Sequence, residues 1–293
     1  PGVTIQTPGS MVVGGVGLDS GSTTVSPPSG WTEAWEAGVQ TAELAYRSWN
    51  ASPTGPVLAS SVTADVETQE WPGVSGDVAD DPAIYYHVAD PEASWILVSS
   101  KSPRADGGIY TYDLTGTLVD SWLVGKVNNV DLRDLATYDN VAAGWSDRVL
   151  VAATERTNDE ILYGWLDRST GAITAAGSTS LTFEPYGTTM YVSPVNGKVY
   201  VFVSSATSQP GVLRQYELTV SGDTVTGTLV RSMDTPTLSE GMDTDEATQQ
   251  FFLAEESAGL FGYDAEPDGG SSRTLIDTAS GILPDEGLEG VAV

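Results

Sequence analysis

Short runs rich in Val, Ile, Thr and Tyr alternate with turns of Gly, Ser and Asp along most of the chain, and no long stretch carries a helical period. From about residue 61 the pattern repeats. Four openings of polar or acidic residues read DDPAIYYHV from Asp80, NNVDLRDL from Asn128, PYGTTMYV from Pro185 and EGMDTDE from Glu240. Each leads into an apolar run: WILVSS, RVLVAATE, VYVFVSS or QQFFLAEE. Each run is followed by a segment with an aromatic, and Tyr112, Trp165, Tyr216 and Tyr263 stand 53, 51 and 47 residues apart. A unit of three or four short strands at this spacing predicts the blades of a β-propeller. The first strand of every blade lines one channel, so residues at the openings converge in space while lying far apart in sequence. A fifth opening, LEGVAV, starts at Leu288 with no apolar run after it. A ring ending there would leave an unpaired edge, so one or more blades' worth of strands is expected to be missing from the C-terminus.

Residues 1–60 lack the blade pattern. TIQTPGSMVVGGVGLD and QTAELAYRSWNA read as strands, with the turn-rich loop SGSTTVSPPSGW between them. PPSGW and AYRSW resemble the last strands of a jelly-roll or lectin-like sandwich. SPTGPVLASS (52–61) has the Pro, Gly and Ser content of a linker. The expected organisation is therefore a short β-sandwich-like fragment in 1–60 and a propeller in 61–293, with VTADVETQE as a strand before the first opening.

Composition narrows the chemistry. Forty acidic residues against 12 basic ones give a net charge of −28. Nucleic acid is excluded as a partner for want of a basic footprint, and no apolar run approaches the roughly 20 residues that span a bilayer. There is no cysteine and one histidine, His87. Thiolate nucleophiles, disulfides and multi-histidine metal centres are thereby excluded, and His87 reads as a structural or surface residue. A hydrolase of this composition would work through carboxylates and metal-activated water.

The polar residues at and near the openings are Asp77, Asp80, Asp81, Asn128, Asn129, Asp131, Glu240, Asp243, Glu255, Glu256, Asp285, Glu286 and Glu289. Any one of them is adequately explained as a solvated loop end. Gathered at one end of a channel they would repel one another unless cations or protons intervened. An all-oxygen shell suits calcium. Lys101 and Arg156 end successive apolar runs at the same point of the repeat. Cations beside metal-holding acids point to an anionic ligand such as phosphate.

ADDPAIYYH, GKVNNVDLR, the strand ending in TER, EPYG, SEGMDTDE followed by LAEE, and AEPDGGSSRTLID together resemble β-propeller phytase, in order and spacing, over roughly residues 62–293. The resemblance implies an all-β, six-bladed propeller that uses several calcium ions. It implies hydrolysis of phosphomonoesters of phytate (myo-inositol hexakisphosphate) by metal-activated water, with release of inorganic phosphate and no phosphoenzyme. It implies metal positions at Asp80, Asp81, Pro82, Val130, Glu240, Glu256, Asp285 and Glu289, with Glu240, Glu256 and Glu289 catalytic. Lys101, Arg156, Tyr186 and Asn129 match substrate-binding positions. The expected protein is a secreted, extracellular bacterial monomer that takes phytate or other phosphomonoesters.

Three departures stand out. Ser102 occupies the place of a second lysine, for which Arg104 could compensate. SSATSQ follows VYVFV where a further lysine is expected. PDEGLEG carries two extra residues between the usual acid pair. The missing lysine and the appended sandwich-like segment support the alternative of a calcium-stabilised binding or adhesion module without catalysis.

Overall fold

The computed structural model describes residues 68–69, 71, 78–103, 105–145, 147–207, 211–278 and 290–293, and the backbone alone of 11–17, 32–36 and 42–48. In the N-terminal part, β1 (Met11–Gly17), β2 (Thr32–Glu36) and β3 (Ala42–Ser48) form an antiparallel sheet in the order β1-β3-β2. β1 and β3 fall in the two segments expected to be strands. β2 lies just past the turn-rich loop, in TEAWE, where no strand was expected. The linker at 52–61 lies outside the described residues. So does most of VTADVETQE, of which Thr68 and Gln69 are not strand. Gln69 N–H donates to Gly116 O at 2.8 Å, and Trp71 stacks on Tyr110 with centroids 4.3 Å apart.

Four four-stranded antiparallel meanders follow, one for each repeat. Blade one is β4 (Ala79–Tyr85), β5 (Trp95–Ser100), β6 (Gly108–Tyr112) and β7 (Leu118–Leu123). Blade two is β8 (Val127–Asp134), β9 (Val149–Glu155), β10 (Glu160–Leu166) and β11 (Ile173–Ser180). Blade three is β12 (Pro185–Val192), β13 (Val199–Ser205), β14 (Gly211–Ser221) and β15 (Thr224–Thr235). Blade four is β16 (Ser239–Asp245), β17 (Gln250–Glu255), β18 (Gly259–Asp264) and β19 (Arg273–Thr278). The inner strands β4, β8, β12 and β16 neighbour one another in that order, and outer strands β7, β11 and β15 do likewise. This is the propeller arrangement that the repeat predicts.

The apolar runs are the second strands. β9 and β13 are buried along their whole length because a blade covers each face, and such strands carry continuous apolar sequence instead of alternation. The core is accordingly a series of layers between blades. Leu97 and Ile109 meet Val130, Val149 and Val151; Leu150 and Tyr163 meet Met190 and Val201; Tyr200 and Phe202 meet Phe251 and Tyr263. The Phe202 and Phe251 rings stack 4.2 Å apart at 5°.

Each inner strand breaks register with its second strand at the same two residues. The shifts fall between Ala79 and Pro82, Val127 and Val130, Pro185 and Thr188, and Ser239 and Met242. The bulged pairs are therefore Asp80-Asp81, Asn128-Asn129, Tyr186-Gly187 and Glu240-Gly241. A bulge strands a backbone amide. In three blades a buried hydroxyl on the second strand takes it: Asp81 N donates to Ser99 Oγ at 2.9 Å, Asn129 N to Thr154 Oγ1 at 3.0 Å, and Gly187 N to Ser204 Oγ at 3.0 Å. The same hydroxyls donate to the next inner strand, at Asn128 O, Tyr186 O and Ser239 O. Gly187 is required where it stands, since a Cβ there would meet Glu240 O at 1.9 Å.

Further along β8, Arg133 joins three inner strands. Its Nη1 donates to both Asp131 oxygens at 2.8 and 2.9 Å, its Nε to Glu246 Oε1 at 3.1 Å, and its Nη2 to Met190 O at 2.8 Å and Thr244 Oγ1 at 3.1 Å. Nη2 also lies 3.5 Å from Asp243 Oδ1. Burial alone would lower the Arg133 pKa, but Asp131, Glu246 and Asp243 together hold it well above its ordinary value. The carboxylates in turn clamp the next strands: Asp131 Oδ2 accepts Met190 N at 2.6 Å, and Asp243 Oδ2 accepts Val293 N at 2.7 Å.

Two outcomes follow. Thr154→Val keeps the shape but orphans Asn129 N–H and Tyr186 O, and should lower the unfolding free energy by roughly 1–3 kcal/mol; an unchanged urea midpoint would refute the bridge. Burial pushes the Asp243 carboxyl up to about 6 in spite of Arg133. The folded state thus gains from that proton below the ordinary Asp pKa and loses the gain as pH rises through about 6. Asp243→Asn should therefore become more stable relative to the parent between about pH 4 and pH 6, measured by denaturant midpoints without divalent cations. A difference independent of pH would mean that Arg133 offsets the burial completely.

Candidate functional site at the channel mouth

The residue after each second strand folds over the inner strand of its own blade in the same way. Lys101 N donates to Val78 O at 2.8 Å, Arg156 N to Lys126 O at 2.8 Å, Ala206 N to Glu184 O at 2.9 Å, and Glu256 N to Leu238 O at 3.0 Å. Lys101, Arg156, Ala206 and Glu256 are thus equivalent positions, set around the mouth beside the bulged pairs. Local fold alone brings these two positions per blade to one place.

Their side chains form a connected network. Lys101 Nζ lies 2.9 Å from Asp80 Oδ1. Asp81 Oδ2 accepts Val130 N at 3.0 Å and Asp81 is also hydrogen-bonded by the Asn129 side chain. Desolvation, aided by Asp80 and Asp131, nevertheless pushes the Asp81 carboxyl well above the usual carboxylate range. Asn128 Nδ2 donates to Asn129 Oδ1 at 2.7 Å and to Glu240 Oε1 at 2.5 Å, while its Oδ1 accepts Arg156 Nη1 at 2.8 Å. Arg156 also meets Glu184 Oε1 at 2.6 Å and sits 5.5 Å from the Tyr186 ring centroid. Tyr186 hydrogen-bonds Glu240 and Glu256, and burial, followed by the charge of Glu240, pushes its pKa far up, so the hydroxyl stays a neutral donor. Burial raises the Glu256 carboxyl too, against the hydrogen bond from Tyr186.

The structure brings together Asp80, Asp81, Asn129, Val130, Lys101, Arg156, Tyr186, Glu240 and Glu256. Pro82 is exposed on β4 opposite Val98, just past the bulge. Asp285 and Glu289 lie outside the described residues, as do Asp77, Glu286 and Arg104. Counted from Val293, which Asp243 holds as Asp131 holds Met190, Glu289 takes the same place in its repeat as Tyr186.

Other acids from the openings serve elsewhere: Asp131 and Asp243 surround Arg133, and Glu255 turns into its own blade to meet Arg273 and Tyr263. His87 closes a turn, its Nδ1 accepting Asp90 N at 2.9 Å, in line with a structural role. Ser102 is buried, with its hydroxyl 2.6 Å from Asp106 Oδ1.

Two mouth residues had no role assigned from sequence: Lys126 and Glu184. Lys126 and Glu184 stand at matching points, two residues before a bulge. Aligning the repeats on the bulge instead of on the aromatic would have revealed them.

Among the described residues no three acidic side chains converge closely enough to hold one metal ion. The mouth does offer an all-oxygen donor set, and Glu256 Oε1 is a buried oxygen without a hydrogen-bond partner. An oxygen-seeking cation fits that chemistry.

Comparison with known proteins bears on what such a mouth does. Residues 41–293 match the model of the family described as Phytase. A 3-phytase of Bacillus subtilis (strain 168) is 34% identical over 242 residues, which cover 79% of this chain. The chain spans 59% of that relative's length. Among solved structures, a functionally unknown protein from Desulfotomaculum acetoxidans aligns with TM-score 0.47 and 13% identity over 74% of this chain and 61% of its own. An exo-β-1,3-galactanase from Phanerochaete chrysosporium aligns with TM-score 0.47 and 14% identity over 70% and 52%. These structural likenesses carry no functional weight. The family match and the identity to the Bacillus protein agree on one assignment: the chain belongs to the phytase family.

Proposed function

We propose that this mouth hydrolyses phosphomonoesters of phytate, releasing inorganic phosphate, with calcium as its metal, and that the protein works outside the cell. The observation that carries the reading is the meeting of Lys101, Arg156 and Tyr186 with Asp80, Glu240 and Glu256 at one place, from four blades.

Phosphoryl transfer asks for positioning and charge neutralisation more than for covalent help. Lys101 and Arg156 supply fixed positive charge for phosphoryl oxygens. Each is already oriented by a carboxylate, Asp80 and Glu184 respectively, so little side-chain freedom remains to be lost on binding. The neutral Tyr186 hydroxyl can donate to a phosphoryl oxygen. Asn128 and Asn129 set the spacing between Asp81, Glu240 and Arg156. Asp80, Asp81, Glu240 and Glu256, with Glu289 and Asp285 and the carbonyls of Pro82 and Val130, would hold calcium. Bound there, calcium supplies charge neutralisation at the phosphoryl group and an activated water for attack.

A second reading has an observation behind it. The position equivalent to Lys101 and Arg156 is Ala206 in blade three, and Ser102 is buried where a second cation was expected. A mouth with fewer cations could bind a phosphorylated partner without turning it over.

Phosphate release from calcium phytate by the full-length protein separates the two. Release should be lost in excess chelator together with thermal stability, and Glu240→Gln should lower kcat by about 100-fold or more. Activity that survives the chelator sinks the hydrolase mechanism. A thermal shift with calcium but no release establishes the binding module instead.

A further inference from the structure

One cation at the mouth takes no part in the chemistry described above. Lys126 lies two residues before Asn128, as Glu184 lies two residues before Tyr186. Residues two apart in extended chain share a side. Glu184 demonstrates that this side reaches the mouth, because its carboxylate meets Arg156 at 2.6 Å. The Lys126 backbone is fixed at both polar atoms, its carbonyl accepting Arg156 N at 2.8 Å and its N–H donating to Thr157 Oγ1 at 3.1 Å.

The side chain is half-buried, and four mouth residues act on its charge: Arg156, Glu184, Lys101 and Asp80. Burial, followed by repulsion from Arg156, pushes its pKa down. Lys101 is paired with Asp80 and Arg156 with Glu184. Among the described residues no carboxylate pairs with the Lys126 ammonium. A lysine serving only solubility would extend into water, away from two like charges.

We propose that Lys126 is a third substrate-phosphate ligand, which favours substrates bearing several phosphates over simple monoesters. The proposal rests on the phosphate-binding reading of the mouth. Lys101, Lys126 and Arg156 all come from blades one and two, so one side of the mouth presents a row of cations. Lys101 and Arg156 are each shared with a carboxylate, so Lys126 is the cation left for a further phosphate on the same ring, which a simple monoester does not carry.

The test compares the parent with Lys126→Gln and Lys126→Arg in the full-length, calcium-loaded protein. Calorimetry with myo-inositol hexakissulfate, which is not a phosphate ester, reads binding without turnover. Lys126→Gln should weaken it about tenfold, the loss of one charge-assisted contact. Lys126→Arg should restore most of the affinity, and the calcium-dependent melting temperature should stay at the parent value. In turnover, KM for phytate should rise more than kcat falls, while KM for a monoester such as p-nitrophenyl phosphate should change less. Equal hexasulfate affinity in the parent and Lys126→Gln overturns the proposal, as does a parent that does not bind the hexasulfate. A protein that releases no phosphate but loses hexasulfate affinity in Lys126→Gln overturns the hydrolase reading and leaves this one standing.

Discussion

The bulge on each inner strand is the constraint from which the rest follows. A regular ladder would send successive side chains to opposite faces, into the two interblade layers. Two unpaired residues per blade break that alternation and release polar side chains toward the channel. The break leaves an amide that burial will not tolerate unpaired. Ser99, Thr154 and Ser204 take that amide and at the same time donate to the next inner strand. Satisfying one bulge and docking the next blade are therefore a single interaction. In blade four Ala254 stands at the equivalent position, and the segment that follows in the ring is held through Asp243 and Val293 N.

Charge is arranged in two tiers along the channel. In the deeper tier one guanidinium, Arg133, gathers Asp131, Asp243 and Glu246, and the price of their burial shows in the raised Asp243 carboxyl. At the mouth the neutral amides of Asn128 and Asn129 stand between Asp81 and Glu240, and Tyr186 stands between Glu240 and Glu256. Neutral spacers keep these acids from meeting directly, so like charges are not set side by side. Deep in the channel the chain carries its own counter-cation. At the mouth it leaves acids for which a metal ion is the natural complement.

Much of this was legible in the sequence because the repeat has two strong signals. Fully buried second strands read as unbroken apolar runs, and bulges read as polar residues at the head of otherwise apolar strands. The openings therefore named Asp80, Asp81, Asn129, Glu240 and, through EPYG, Tyr186. What escaped was direction. Glu255 and Glu256 are adjacent acids with the same local signature, yet alternation sends one into blade four against Arg273 and the other to the mouth. Asp131 and Asp243 resemble metal ligands in composition, while the Asp-Leu-Arg spacing of 131–133 puts carboxylate and guanidinium on one side of β8 and makes them partners. Lys126 and Glu184 were hidden because the same position holds Val78 and Leu238 in blades one and four, so no residue type recurs there.

Divergence at those few positions makes the mouth asymmetric. Blades one and two contribute Lys101, Lys126 and Arg156 together with Asp80 and Asp81; blades three and four contribute the acids Glu184, Glu240 and Glu256. Charge is thus spread unevenly around the opening, with these three cations on one side and three acids on the other. The net charge of −28 repels a polyanion at long range, but that repulsion is screened over about 8–10 Å at physiological salt. Within that distance the local row of cations decides. Four copies of one blade could not do this with any single choice of residue. The repeat supplies the geometry, and the loss of its sequence symmetry at two or three positions per blade supplies the polarity.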